Sequence, residues 1–240
     1  MVERHYQIDF ASGALVFPGG KTAPEDHDPA WADALPSGLS VTGAALALRI
    51  AAVREAYEES GLLLARESGA GASGPLVSPQ QVAGPMAQRA AIARGEASFL
   101  AMMLAEKFEL ALNALIPFAH WITPKGLPKR FDTHFFIAHA PRDQDAAHDG
   151  HEAVEACWLS PLEALEAAEQ GRRKIIFPTR LNLQLLAGSN TAEGAIAAAQ
   201  GRTIVTVEPV IAPDADGVAT LTISPDAGYG AVSAPLSEVM

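Results

Sequence analysis

The segment Arg54-Glu55-Ala56-Tyr57-Glu58-Glu59-Ser60-Gly61-Leu62 constrains this chain more than any other. From about Ala44 to Ser60, Ala and Leu residues give a strong helical reading, with Ser40 or Thr42 as N-cap and Gly61 as the stop. Leu46, Ile50, Val53 and Tyr57 recur at helical spacing, so one face is buried. Against this stands the charge: three carboxylates within five residues at the helix C-terminus. The macrodipole there is already negative. Like charges three and four residues apart repel by roughly 0.2–0.5 kcal/mol per pair. A chain that keeps this helix must bring something positive to its end, and a divalent metal ion is the natural candidate.

The overall charge sharpens that requirement. Formal net charge is -11, which argues against broad binding to nucleic acid or to anionic membrane. A substrate that carries phosphates would then depend on bound metal for compensation. The 240 residues are 49% hydrophobic and 19% charged, ample for one elaborated domain or a domain with a tail. Cys157 is the only cysteine, so no intrachain disulfide forms. A reducing, cytoplasmic setting fits, and Cys157, beside Trp158 and Leu159, reads as a core residue. No apolar run reaches the length of a membrane span. Glu3, Arg4, His5 and Asp9 are unlike a signal peptide.

Short strands are expected at Val2–Tyr6 and Gly13–Phe17, the second running into Pro18-Gly19-Gly20. Two glycines there mark a turn where backbone approaches another group closely. Residues 22–40 read as a loop and 66–76 as a Gly/Ala/Ser linker. Helices are expected at Pro79–Ala93, Ala97–Glu109, Pro161–Gln170, Pro178–Leu186 and Ala192–Gln200. Strands are expected at Phe118–Thr123, Arg130–Ala138, Ala153–Leu159, Thr203–Val207 and Val218–Ile223. Helices interleaved with strands indicate a mixed domain of α and β elements.

On the helix, Glu55, Glu58 and Glu59 share a face and can converge on one point. Arg54, four before Glu58, is placed to orient a carboxylate or to meet a phosphate. Hard oxygen ligands suit Mg²⁺ or Mn²⁺. A solvated, charged helix end is the plain alternative. Arg54, the third Glu, Gly61 and the Gly19-Gly20 turn together favour a site. Arg130 reads equally as a phosphate contact or a surface ion pair. His134 and His139 show no ligand pattern with another His or Cys and read as structural, and Arg172-Arg173-Lys174 as a solvated basic cluster.

These residues resemble the Nudix box, Gly-x5-Glu-x7-Arg-Glu-U-x-Glu-Glu-x-Gly-U, where U is aliphatic. Gly20 matches the opening glycine, Asp26 falls at the first glutamate, and Arg54, Glu55, Ala56, Glu58, Glu59, Gly61 and Leu62 match the second half. Twenty-seven residues separate Asp26 from Arg54 in place of seven, so residues 27–46 are expected to bulge out as a loop. The interruption, the helix Ala47–Glu55, His120-Trp121-Ile122-Thr123-Pro124 and Lys129–Phe136 together resemble the peroxisomal coenzyme A diphosphatase branch of that superfamily. Gly13, Phe17, Pro18, Gly19 and Gly20 also fit an upstream coenzyme A signature, with Arg4 on one of its arginines and Asp9 where a second is usual.

The resemblance implies an α+β Nudix fold, a mixed sheet between helices, over residues 1–187. It would carry a box insertion near 27–46 and a helical insertion near 66–116, with residues 188–240 as a C-terminal extension of helix and strands. The chain opens almost at the second strand of such a fold; either the sequence starts late or the strands near 203–223 compensate. The resemblance further implies hydrolysis of a diphosphate linkage in a nucleoside-diphosphate derivative, coenzyme A or an acyl-coenzyme A first. ADP-ribose or a dinucleotide, or a non-catalytic nucleotide-binding module, are the alternatives. Glu55, Glu58 and Glu59 would hold Mg²⁺ or Mn²⁺. Arg54 and Glu152, with Glu155 as second choice, would complete the catalytic set. Arg4, Gly19, Gly20 and Arg130 would contact substrate. The tail offers a homodimer contact, because two apolar strands would otherwise leave an open edge.

Overall fold

In a computed structural model, which describes residues 1–7 and 11–236, the helix that ends the charged segment runs from Gly43 to Ser60. Asp9 lies outside the described residues. In chain order the elements are β1 (Val2–Arg4), β2 (Leu15–Val16), α1 (Gly43–Ser60), β3 (Ala65–Glu67), α2 (Pro79–Ala93), α3 (Phe99–Ala105), β4 (Phe108–Leu110), β5 (Ile116–Ile122), β6 (Asp132–Ile137), β7 (Ala153–Ala156), α4 (Pro161–Glu169), α5 (Phe177–Ala187), α6 (Ala192–Gln200), β8 (Thr206–Val207), β9 (Val210–Pro213), β10 (Ala219–Ile223) and β11 (Val232–Pro235). Helices and mainly antiparallel strands make an α+β architecture, as expected. Two compact units share the chain: Met1–Leu115 with Ala138–Trp158, and Ile116–Ile137 with Leu159–Met240.

In the first unit β1 lies between β2 and β7, antiparallel to both, and β3 pairs with β4. Helix α1 buries Ile50, Val53 and Tyr57 completely, three of the four apolar positions read from its periodicity; Leu46 is half-buried. Tyr57 stacks on Phe99 of α3 at 5.6 Å, and Trp31 packs against the same ring, tilted, at 5.8 Å. Each such buried side chain contributes roughly 1.5–3 kcal/mol.

Trp31 corrects the expectation of a bulging loop. Pro24–His27 and Pro29–Ala34 form two short 3₁₀ turns, and Trp31 and Ala34 are fully buried. The indole Nε1–H donates to the Glu25 carbonyl at 2.8 Å. The Glu25 carboxylate in turn accepts the N–H groups of Phe99 and Leu100 at the start of α3. One large apolar side chain draws a Pro- and Asp-rich segment into the core. Residues 43–46 are the first turn of α1.

Three other expectations change. The helix read over Ala97–Glu109 stops at Ala105. Lys107 then takes a left-handed conformation (φ 57°), and Phe108–Leu110 pairs with β3 instead. Arg66 and Glu67 of the supposed linker belong to the strand it pairs with, Ala65–Glu67. Cys157 is half-buried and not a core residue; its N–H bonds the Met1 carbonyl, and Trp158 beside it is exposed.

In the second unit β5 lies between β6, antiparallel, and β8, parallel. Trp121, Phe177, Leu181, Val207 and Leu221 form its apolar centre. Among its described residues the tail holds four strands, not two. Strand β10 sits between β9 and β11, and an Asp214–Gly217 turn closes the β9–β10 hairpin. Both edges of β10 are covered within the chain, and β9 and β11 are the outer strands of this sheet. Among the described residues no helix is long and apolar enough to cross a membrane.

Candidate metal and phosphate site

Three segments of the first unit meet at the end of α1. Gly61 closes the helix in a left-handed conformation (φ 75°), and its N–H bonds the Tyr57 carbonyl. Arg89 of α2 donates from Nε to the Glu58 carbonyl at 2.9 Å and from Nη2 to the Ala147 carbonyl at 2.7 Å. A cation therefore sits against the negative end of the helix. No local motif points to it, because Arg89 lies in a separate helix.

The carboxylates are held individually. Arg54 is buried and grips Asp26 with a two-pronged contact, Nε to Oδ1 and Nη2 to Oδ2, both at 2.9 Å. Its Nη2 also reaches the Lys21 carbonyl, while Nη1 bonds Glu55 at 2.9 Å and Glu58 at 3.2 Å. Arg54 thus orients two carboxylates and ties the Lys21–Asp26 segment to α1. Asp26 is buried, and its Oδ2 accepts the Ala23 N–H. Its role as anchor of Arg54 was not apparent from the sequence.

Glu59 accepts the Gly19 N–H at 2.9 Å and lies 3.9 Å from Arg4 of β1. Gly20 faces Glu55, where a Cβ would come within 2.5 Å of the carboxylate. Glu152 precedes β7, and its carbonyl accepts the His5 N–H. Its charge acts on Glu55, Glu58 and Glu59 alike. Glu155 pairs in register with Glu3. Arg4, Gly19, Gly20, Arg54, Glu55, Glu58, Glu59 and Glu152 therefore belong to one neighbourhood. Arg130 belongs to the other unit, where it bonds Glu208 at 2.7 Å and the Thr123 carbonyl.

Burial dominates the electrostatics of the three glutamates. Burial pushes Glu55 up to about 7, opposed by Arg54 and reinforced by Glu58 and Glu152. Burial pushes Glu59 up to about 8, opposed by the Gly19 N–H and Arg4 and reinforced by Glu55 and Glu152. Glu58 is also raised, chiefly by burial. Burial works against the charge on Arg54, but its bond to Asp26 and the neighbouring carboxylates hold it well above its ordinary value. Among the described residues, the cationic side chains that pair with Asp26, Glu55, Glu58 and Glu59 are Arg54 and Arg4. The excess of negative charge calls for a divalent ion, and the all-oxygen donor set suits a hard one. The buried Nε of Arg4 has no partner among the described residues, so a donor remains for an anionic oxygen.

His134, read as structural, has two polar neighbours. It stacks on His120 with ring centres 4.0 Å apart, next to Asp132. Burial and then His120 lower its proton affinity, against a smaller pull from Asp132.

The family model described as the NUDT19 Nudix domain matches residues 38–184, a span that includes the whole of α1. Acyl-coenzyme A diphosphatase NUDT19 of Xenopus laevis is 26% identical over 203 residues, covering 69% of this chain and 53% of that protein. The Homo sapiens protein of the same name is 35% identical over 127 residues, covering 51% of this chain and 34% of the relative. The chain spans about half the length, or less, of these relatives. A crystal structure of a NUDIX hydrolase from Alicyclobacillus acidocaldarius matches with a TM-score of 0.67 at 25% identity, covering 82% of this chain and 86% of that one. The interrupted motif, the α+β fold and these matches agree: the chain has the Nudix fold and belongs to the NUDT19 Nudix domain family.

Proposed function

We propose that this protein hydrolyses a diphosphate linkage with the help of Mg²⁺ or Mn²⁺, and that its substrate is coenzyme A or an acyl-coenzyme A. The observation that carries this reading is the way the end of α1 is held: Arg54 bonds Glu55 and Glu58, Glu59 accepts the Gly19 N–H, and Gly20 lies against Glu55, so three carboxylates of one helix end border the Gly19-Gly20 turn. The names of the relatives supply the substrate class. Glu55, Glu58 and Glu59 would hold the ion, which when bound neutralises diphosphate oxygens and makes water acidic.

The remaining chemistry falls to the chain. Arg4 directs its unpartnered Nε–H to a phosphate oxygen. Glu152 accepts the proton of the attacking water. Arg54 keeps Glu55 and Glu58 in place throughout, anchored by Asp26. Water oxygen bonds to one phosphorus, the bridging P–O bond breaks, and the bridging oxygen leaves on the other phosphate.

Incubation of the full chain with coenzyme A, an acyl-coenzyme A, ADP-ribose and a dinucleotide, each with Mg²⁺, Mn²⁺ or EDTA, tests this. Chromatography with mass detection should show adenosine 3′,5′-bisphosphate and phosphopantetheine, and nothing with EDTA. Turnover of ADP-ribose or the dinucleotide alone would move the substrate. Turnover of none would leave a nucleotide-binding module.

A further inference from the structure

The second unit carries a group of side chains that this chemistry does not use. Strands β5 and β6 are antiparallel with His120 directly opposite His134 and Ile122 opposite Asp132. Side chains alternate along a strand, so Asp132 and His134 share one face of β6. His120, as the partner of His134, joins them there. The imidazoles stack at 4.0 Å with planes 15° apart. Asp132 Oδ1 lies 2.5 Å from His120 Nε2 and 3.5 Å from His134 Nε2. One ligand atom from each residue falls within 4.8 Å of the other two.

His120 is also held from behind. Its Nδ1 is 2.7 Å from the hydroxyl of Thr206 on β8. With Nε2–H donating to Asp132 Oδ1 and Nδ1 accepting the Thr206 hydroxyl, a proton satisfies this contact; with Nδ1–H donating to Thr206 Oγ1, Nε2 turns a lone pair to the Asp132 oxygen and a cation fits between them. A proton serves one edge of the triangle; a metal ion serves all three. A ring whose second nitrogen bonds a hydroxyl has the outer-shell support usual for metal-bound histidine. Asp132 is mostly exposed and free to widen the shortest contact to the roughly 3 Å that separates neighbouring ligands around an ion with bonds of about 2.0 Å. Arg130, two residues away, is engaged by Glu208.

We propose that His120, Asp132 and His134 form a second cation site, one for a divalent transition-metal ion of the Zn²⁺ class. Two imidazoles and one carboxylate favour such an ion, whereas Mg²⁺ prefers oxygen ligands. The site therefore differs in chemistry from the carboxylate cluster on α1 and stands whether or not that cluster is catalytic. Its solvent side leaves room for water to complete the coordination.

The test is calorimetric titration of metal-stripped full chain with Zn²⁺ in millimolar Mg²⁺, which occupies the oxygen-only cluster. Wild type should take up one Zn²⁺ that Mg²⁺ does not displace. His134→Gln and Asp132→Asn should each lose this binding, and Thr206→Ala should weaken it by about 10–100-fold. Circular dichroism reports whether each variant is folded. As a second readout, Cu²⁺ bound to wild type should show nitrogen hyperfine coupling in electron paramagnetic resonance, absent from His120→Gln/His134→Gln. Equal Zn²⁺ uptake by wild type and His134→Gln, complete displacement by Mg²⁺, or a Cu²⁺ signal without nitrogen coupling would overturn the proposal.

Discussion

Gly20 and the carboxylate of Glu55 are in direct contact: a methyl group built on Gly20 would lie 2.5 Å from Cδ and from both oxygens. The turn after β2 and the helix α1 therefore meet through bare backbone. In Gly20→Ala either the turn or Glu55 must move. A displacement of about 1 Å at a catalytic group costs on the order of 100-fold in rate. We expect kcat/KM to fall by about that factor with the melting temperature nearly unchanged. An alanine variant with wild-type turnover would show that this contact is not needed for chemistry.

Glu152→Gln keeps the size of the side chain and removes its ability to take a proton. If Glu152 is the base, kcat falls by roughly 10²–10⁴-fold with KM little changed. Glu58→Gln should also lower kcat by orders of magnitude, but through weakened metal binding. Raising the Mg²⁺ concentration should restore part of the Glu58→Gln activity and none of the Glu152→Gln activity.

Asp26→Ala leaves a buried guanidinium without its two-pronged partner. Breaking a buried ion pair on one side typically costs about 3–5 kcal/mol. Urea unfolding at neutral pH should show a loss in that range. A loss below about 1 kcal/mol, the value of an exposed pair, would mean that Arg54 finds other partners without strain.

Without metal, Glu55 and Glu59 titrate near 7 and 8 in the folded protein, against an ordinary 4.5. Between these values the folded protein holds protons that the unfolded chain has released. Unfolding free energy of the metal-free protein should therefore fall as pH rises from about 5 to about 8. A cation on these carboxylates offsets that loss. The rise in Tm on adding Mg²⁺ should be larger at about pH 8 than at about pH 6, and an equal rise at both would contradict the raised values.

Trp31→Ala empties a site enclosed by Phe99 and the start of α3. A cost of about 3–5 kcal/mol is expected, read as a shifted denaturation midpoint. If residues 27–46 were a detached loop, the change would be silent.

What the sequence revealed of the site was its local part. Glu55, Glu58, Glu59 and Arg54 lie within six residues of one helix, and periodicity alone places them near one another. Gly19 and Gly20 were legible because two glycines after a strand have few other uses. The fold class followed from the same motif. Hidden were the contacts that depend on distant pairing. His120 meets Asp132 and His134 only because β5 and β6 adopt one particular register. Asp26 and Arg54 are 28 residues apart, and a spacing motif says nothing of their bond. Trp31 sits among prolines and aspartates that signal a turn, and its burial depends on Phe99, far along the chain. Phe108–Leu110 has helix-compatible residues and became a strand by pairing with β3.

Arg89 links the two parts of the chain that a protein engineer would be inclined to separate. The residues between β3 and β4 look like a removable insertion, yet the guanidinium that terminates α1 comes from within them. A chimera that replaced α2 with a short turn would leave the Glu58 carbonyl facing its own carboxylates without a donor. Shortening this protein while keeping its charged helix would require a new cation at that carbonyl, so the insertion and the motif have to be inherited, or redesigned, as a pair.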